Sequence, residues 1–149
     1  MKILISACLL GVNCKYDGGN NRREELISLL RGHDLRSACP EMLGGLPSPR
    51  VPAEIKDGEV IRPDGKSADA AFRAGAEAAL CLARSFGPEL VILKSKSPSC
   101  GSGMIYDGSF SHRLAPGDGI FAEMLKKEGF RVMTEDEAVS LLRKLRKEE

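Results

Sequence analysis

The sequence contains no tryptophan, only two tyrosines and two histidines, and no long hydrophobic run. Its longest apolar stretches are of the kind Leu90 to Leu93, whereas a membrane-spanning helix needs about 18 apolar residues. An excess of one charge is also missing, because 22 basic residues are balanced by 21 acidic ones. We therefore expect no membrane span, and the near-neutral charge gives no electrostatic reason to expect a nucleic-acid polymer as partner.

A secretory signal is not evident either. Ile5-Ser6-Ala7-Cys8 is similar to the small residues that precede a lipidated bacterial cysteine, but few residues come before it. The apolar region of a signal alone takes roughly seven to fifteen residues. We expect a cytoplasmic protein with reduced thiols, and the odd number of five cysteines excludes complete internal pairing.

The rest of the composition is that of an ordinary globular protein. The chain has 149 residues, of which 42% are hydrophobic and 29% charged. That length is enough to bury a core without help from disulfides. We expect residues 1–149 to form a single domain.

Short apolar runs alternate along the chain with helical apolar stripes. Strands that alternate with helices predict an α/β fold, with a Rossmann-like, mainly parallel sheet covered by helices on both faces. A capping box of Thr134 and Glu137 marks the start of the last helix. The predicted strands are 3–5, 35–38, 90–93 and 130–133, and the predicted helices are a short one that ends near Gly32, then 68–86, 120–128 and the segment after Thr134.

Long irregular loops separate some of these elements. Between Pro40 and Asp64 the prolines and glycines are dense enough to exclude a regular helix, and 94–103 forms a polar loop. An irregular segment of this length inside a small domain is usually functional.

Four of the five cysteines lie in loops. Cys8, Cys39 and Cys100 each follow a predicted strand, and the carboxyl ends of parallel strands meet at one edge of a sheet. We therefore expect these three thiols to converge. Cys81 falls within the stripe of 68–86 and is predicted to be a small core residue. No Cys-x-x-Cys pair is present, so spacing alone leaves a metal or cluster site open.

Four motifs carry a family resemblance that runs from residue 3 to about residue 133. In this order along the chain, they resemble the family catalogued as domain of unknown function 523, whose thiouracil desulfidase members are iron–sulfur enzymes. The motifs are Ser6-Ala7-Cys8-Leu9-Leu10-Gly11, Cys14-Lys15-Tyr16-Asp17-Gly18, Cys39-Pro40-Glu41 with Gly44-Gly45-Leu46-Pro47, and Lys94 through Ser97-Pro98-Ser99-Cys100-Gly101 with Ile105-Tyr106-Asp107-Gly108.

The resemblance implies a [4Fe-4S] cluster held by Cys8, Cys39 and Cys100. Three thiolates leave one iron open as a Lewis acid, which suits a non-redox hydrolysis of the thiocarbonyl of a thiolated nucleobase such as thiouracil. Cys14 stays outside this ligand set, as a possible sulfur acceptor, fourth ligand or bystander. Glu41 is then the expected acid and base of the reaction.

The remaining site residues are interpreted from their chemistry and their positions in these motifs. Ser97 is expected to relay a proton or orient water, and Asp17, Lys94 and Ser99 are expected to contact the small heterocyclic substrate. The alternatives are that the serine hydroxyls bond the amides of their own loop, that Lys94 is solvated and that Asp17 serves only the turn. Both histidines, His33 and His112, are interpreted as surface residues. The rings near the motifs that could stack on a base are those of Tyr16, Tyr106 and Phe110.

Two other classes of function remain open on the residues alone. One is a non-catalytic module in which the loop cysteines hold zinc or an iron–sulfur cluster, to stabilise the loops or to sense redox state. The other is a metal-free thiolate enzyme, for which the sequence offers no evident cysteine–histidine pair.

Overall fold

The computed structural model describes residues 1–148 and is built around a four-stranded parallel sheet. The strands are β1 (Lys2–Ser6), β2 (Asp34–Ala38), β3 (Glu54–Lys56), β4 (Glu59–Ile61), β5 (Leu90–Leu93), β6 (Met104–Tyr106), β7 (Leu114–Pro116) and β8 (Val132–Thr134), and the helices are α1 (Glu24–Leu29), α2 (Pro40–Leu43), α3 (Asp69–Phe86), α4 (Ile120–Lys127) and α5 (Glu135–Lys147), with a 3-10 turn at Ala7–Leu10. The strand order of the four-stranded sheet, β2-β1-β5-β8, places β1 in its interior.

Helices cover both faces of the sheet, which confirms the predicted α/β architecture. Alternate residues of a strand point to opposite faces. Leu4, on β1, packs into the cluster formed by α3 and α4, whereas its neighbours Ile3 and Ile5 pack against α1 and α5. All three side chains are almost completely buried. Strands buried on both faces read as continuous apolar runs, which explains why β1 and β5 could be predicted.

The predicted elements agree with the structure except in the loops and at one helix face. The segment 40–64 contains the short helix α2 and the β3–β4 hairpin, so the exclusion of a regular helix there is wrong. Pro40 occupies the first turn of α2, where its missing N–H costs nothing. Asp57 and Gly58 both have positive φ, as a two-residue hairpin turn requires. An Asp-Gly pair favours such a turn, and the prediction for 40–64 did not take it into account.

The prediction that Cys81 belongs to the core is also wrong, because its side chain is exposed on α3. The buried stripe of that helix runs through Phe72, Ala76, Ala79 and Ala83, which turns Cys81 toward solvent. Among residues 1–148 no helix is both long and apolar enough to cross a bilayer.

The helices α2 and α3 meet at two glycines. A Cβ at Gly75 would lie 1.8 Å from the carbonyl oxygen of Pro40, and one at Gly44 would lie 2.2 Å from the carbonyl oxygen of Ala71. Backbone therefore touches backbone where α2, the element directly after Cys39, crosses α3.

Because of this contact, replacing the helical glycine by alanine should destabilise the protein instead of stabilising it. Gly→Ala inside a helix normally stabilises it by roughly 0.5–1 kcal/mol. We expect Gly75→Ala instead to lower the free energy of unfolding by about 3 kcal/mol, because the methyl group forces two backbones apart. Chemical denaturation measures the change. The matched control is Ala74→Ser on the exposed side of the same helix; an equal loss in both variants would contradict the packing argument.

Candidate functional site

A cavity of about 630 Å³ opens at the carboxyl end of the parallel sheet. Its floor is formed at the carboxyl ends of β1, β2 and β5, where Ser6 and Ala38 are the last residues of their strands and Lys94 directly follows β5. The chain turns from one face of the sheet to the other between β1 and β5, and ligands of open α/β sheets bind at such switch points. The cavity has the size of a small-molecule site.

Four thiols line this cavity. Cys8, Cys39 and Cys100 reach it from the ends of β1, β2 and β5, as the sequence led us to expect. Cys14 reaches it from the loop after the 3-10 turn and is buried. The fold thus brings together four cysteines that are far apart in the sequence.

The Cys14 thiol makes hydrogen-bonding interactions with the thiols of Cys8 and Cys39, and the Cys39 thiol also donates to the backbone carbonyl oxygen of Cys14, at a sulfur–oxygen distance of 3.8 Å. The hydrogen bonds between thiols lower the pKa of Cys8 and lower the pKa of Cys39 to about 7, although burial opposes both shifts. The same bonds raise the pKa of Cys14 itself. Burial raises the pKa of the Cys100 thiol well above its usual range. Two of the thiols are therefore set to ionise readily, and the thiolate is the form that ligates metals.

The arrangement of the thiols bears on the kind of metal that they could hold. Among residues 1–148 no three His, Cys, Asp or Glu side chains are grouped closely enough to hold a single metal ion. A cluster of several irons spreads its thiolate ligands over separate metal atoms, so it suits thiols placed around a cavity better than one ion does. The soft donor set and the available volume fit an iron–sulfur cluster.

A carboxylate, that of Glu41, lies beside these thiols in the first turn of α2. The side chain is only 17% exposed, and its Oε2 accepts a hydrogen bond of 3.0 Å from Nη2 of Arg50, whose side chain is 7% exposed. Burial raises the pKa of Glu41, against the opposing effect of Arg50. Arg50 also donates to the carbonyl oxygen of Pro47, and both charged groups line the cavity. Arg50 lies in the segment interpreted as irregular, and nothing local in the sequence identified it.

Removing only one partner of this buried ion pair is expected to be costly. We expect Arg50→Met to lower the free energy of unfolding by about 3 kcal/mol, because an uncompensated charge stays buried at Glu41. Adding Glu41→Gln should restore most of that loss. Chemical denaturation of the two single variants and the double variant measures the coupling, and strictly additive losses would contradict a buried pair.

Lys94 lines the cavity, and its ammonium group lies near the buried carboxylate of Glu135 at the end of the neighbouring strand β8. Its Nζ lies 3.6 Å from Oε1 of Glu135, whose side chain is 6% exposed. The other Glu135 oxygen, Oε2, accepts a hydrogen bond of 2.8 Å from the backbone N–H of Ser95, and the Ser95 hydroxyl donates to Oε1. Glu135 opens α5 directly after the capping residue, and sequence reasoning did not single it out.

The three serine and aspartate side chains predicted for the site are placed differently from one another. Ser97 lines the cavity, and its Oγ accepts hydrogen bonds of 3.1 Å from the backbone N–H groups of Ser99 and Cys100, so its own proton is left to donate. Ser99 is buried away from the cavity lining, and its hydroxyl has no partner among residues 1–148. Asp17 is exposed outside the lining, 3.6 Å from Nζ of Lys15.

The second wall of the cavity comes from two hairpins that sequence reasoning missed. Tyr106, Phe110 and His112, on or between β6 and β7, line it together with Glu54 of β3. His112 is exposed, as predicted, yet it is part of the cavity wall, which the surface interpretation did not include. The other histidine, His33, lies away from the cavity, and its Nδ1 is 3.1 Å from the N-terminal nitrogen of Met1.

Comparisons with known proteins agree with this geometry. The model of the 2-thiouracil desulfurase family matches residues 3–137. The [4Fe-4S]-dependent thiouracil desulfidase TudS has a solved structure that superposes with a TM-score of 0.85 at 40% identity, over 97% of this chain and 98% of that one. YbbK, an uncharacterized protein of Bacillus subtilis (strain 168), is 38% identical over 94% of this chain and 99% of its own length.

Proposed function

Because the chain belongs to the 2-thiouracil desulfurase family, we propose that it is an enzyme that hydrolyses the thiocarbonyl of a small thiolated nucleobase such as thiouracil. The likeness to a [4Fe-4S]-dependent desulfidase at 40% identity supports a [4Fe-4S] cofactor in this chain as well. The observation that carries the proposal is a single cavity lined by three cysteines from three strand ends, together with the buried carboxylate of Glu41.

Cys8, Cys39 and Cys100 are the proposed ligands. Cys8 lies in the 3-10 turn after β1, Cys39 lies directly after β2, and Cys100 lies in the loop after β5. Cys14 interacts with two of the three, Cys8 and Cys39. When bound, a cluster with three thiolates supplies an open iron that accepts a soft sulfur ligand as a Lewis acid. Cys14 then orients the thiols of Cys8 and Cys39 without being a ligand itself.

The reaction needs a proton acceptor and a proton donor but no electrons. Water forms a C–O bond at the ring carbon as the C–S bond breaks, so thiouracil and water give uracil and hydrogen sulfide. Glu41 is the group proposed to take the proton from water and to return one to the departing sulfur or the ring nitrogen. Arg50 holds its carboxylate in place.

The remaining polar groups of the cavity are assigned to substrate and proton handling. Ser97 has a hydroxyl proton to donate, since its oxygen already accepts two backbone N–H groups. Glu135 keeps the positively charged Nζ of Lys94 in place at the cavity, where this group can contact a substrate oxygen. Neither Asp17 nor Ser99 lines the cavity. Their contacts with the substrate stay predictions that this geometry does not support.

Anaerobic reconstitution with iron and sulfide tests the proposal. We expect about four irons per chain, broad visible absorption, and release of sulfide with formation of uracil from 2-thiouracil or 4-thiouracil. A protein that holds no iron, or that holds it and releases no sulfide from either base, would overturn the proposed function. One bound zinc in place of iron would favour the non-catalytic module.

A further inference from the structure

The loop between β6 and β7 presents aromatic rings to the cavity. Tyr106, Phe110 and His112 all line it, and we call these three residues the aromatic wall. The rings of Tyr106 and His112 lie edge to face, with centroids 6.3 Å apart and planes at 81°. Tyr106 and Phe110 are half-buried and His112 is exposed, so ring surface remains available to a ligand. In a chain without tryptophan, this concentration of rings at the cavity is a distinct feature.

A half-buried hydrogen-bond acceptor, the carboxylate of Glu54, fixes this loop over the cavity. Oε1 of Glu54 accepts hydrogen bonds from the backbone N–H groups of Gly108, at 3.0 Å, and Phe110, at 3.2 Å. Gly108 lies so close to β3 that a Cβ there would come within 2.5 Å of the Cβ of Lys56. The loop is therefore clamped to the β3–β4 hairpin.

The residues that carry two of the rings, Phe110 and His112, have a left-handed backbone conformation. Four non-glycine residues among 1–148 have positive φ, and three of them, Lys96, Phe110 and His112, line the cavity. Phe110 has a φ of 56° and His112 a φ of 61°. A left-handed conformation costs an ordinary residue roughly 1–2 kcal/mol and is unusual for a bulky one. Such conformations persist where surrounding contacts impose them, and they concentrate at functional sites.

We infer that the aromatic wall binds the planar ring of the substrate by stacking, and that it selects thiolated heteroaromatic rings over non-aromatic thioamides. The inference rests on the proposed function, because it concerns the substrate of the same cavity. Flat π-systems attract each other through offset or edge-on contacts, and a saturated, puckered ring cannot make them.

Two of the three rings of the aromatic wall can be removed without disturbing the backbone that carries them. Asparagine tolerates positive φ, so the double variant Phe110→Asn with His112→Asn deletes two rings and keeps the loop conformation. Asp57→Asn is the matched control, because Asp57 also has a positive φ, of 50°, but lies outside the cavity lining. Iron content and thermal unfolding of each variant verify that the fold and the cluster are retained.

The test compares two ligands of similar size that carry the same polar groups but differ in ring planarity. Uracil is planar, whereas 5,6-dihydrouracil has the same amide groups on a puckered ring. Calorimetry on the reconstituted protein should show that the double variant binds uracil about 10- to 100-fold more weakly, as the loss of base stacking predicts, with the affinity for dihydrouracil unchanged. KM for 2-thiouracil should rise by a similar factor, with kcat unchanged.

Other results would overturn the inference. These are an unchanged affinity for uracil, an equal loss for both ligands, or wild-type protein that does not prefer uracil to dihydrouracil. The proposed function has a separate readout, since it fails if wild-type protein releases no sulfide. A preference for uracil that disappears in the double variant would support the aromatic wall even in that case.

Discussion

Cys39→Ala is expected to abolish both iron binding and sulfide release, and so are Cys8→Ala and Cys100→Ala. Each thiol reaches the cavity from a different segment of the chain, and its removal leaves only two of the three proposed ligands. Iron after anaerobic reconstitution should fall from about four atoms per chain to less than about one, because two thiolates do not retain a cluster. Iron content and visible absorption measure the first effect, and sulfide release from 2-thiouracil measures the second.

Two other cysteines supply the controls. Cys81→Ala removes an exposed thiol from α3 and should leave iron and activity unchanged. Cys14→Ala should retain iron, because Cys14 contacts the proposed ligands without being one of them. Loss of iron from Cys14→Ala would make it a fourth ligand, and the proposed open iron would then be wrong. Retention of iron in Cys39→Ala would contradict the proposed ligand set.

Glu41→Gln should reduce the rate of sulfide release by about 10²- to 10⁴-fold, the range typical of a lost acid–base group. Glutamine has the same shape and can still accept a hydrogen bond from Arg50, so we expect the cavity geometry to be retained, although the loss of the buried ion pair lowers the free energy of unfolding. We therefore expect iron content, and KM for 2-thiouracil, to stay close to those of the wild type. Steady-state kinetics on the reconstituted variant provide the measurement.

The control for this substitution is an exposed glutamate. Glu24→Gln, on the surface at the start of α1, should leave kcat unchanged. If Glu41→Gln kept its kcat, the proton would have to move through another group, with Ser97 as the next to test. If it lost iron instead of rate, Glu41 would serve the structure of the site and not the reaction.

The elements that could be predicted are those whose signal is local. β1 and β5 are continuous apolar runs, and α5 begins with the predicted capping box, in which Thr134 and Glu137 satisfy each other's backbone N–H groups. The strand ends then placed Cys8 and Cys100 at the same edge. Three-residue strands such as β6 and β7 leave no comparable pattern, because their pairing depends on contacts with each other and not on periodicity.

The parts of the site that were missed depend on contacts between distant segments. Arg50 pairs with Glu41, nine positions away, inside a segment rich in prolines. Glu135 contacts Lys94 from the end of β8, the strand next to β5 in the sheet but about 40 positions away in the sequence. His112 reaches the cavity only because the β6–β7 hairpin folds back over it. The error at Cys81 has a simpler cause, since a helical stripe shifted by one residue turns the side chain by about 100° around the helix axis.

The clamp between Glu54 and the β6–β7 loop has a consequence for how this scaffold can change. The thiols and Glu41 follow strands of the central sheet, whereas the rings stand on a separate hairpin that is fastened by two hydrogen bonds. Mutations in the hairpin can therefore alter which molecules are accepted while the chemical machinery stays intact. Redesign for new thiolated compounds should begin at 107–113, and libraries that keep Glu54 and Gly108 would vary the rings on a retained framework.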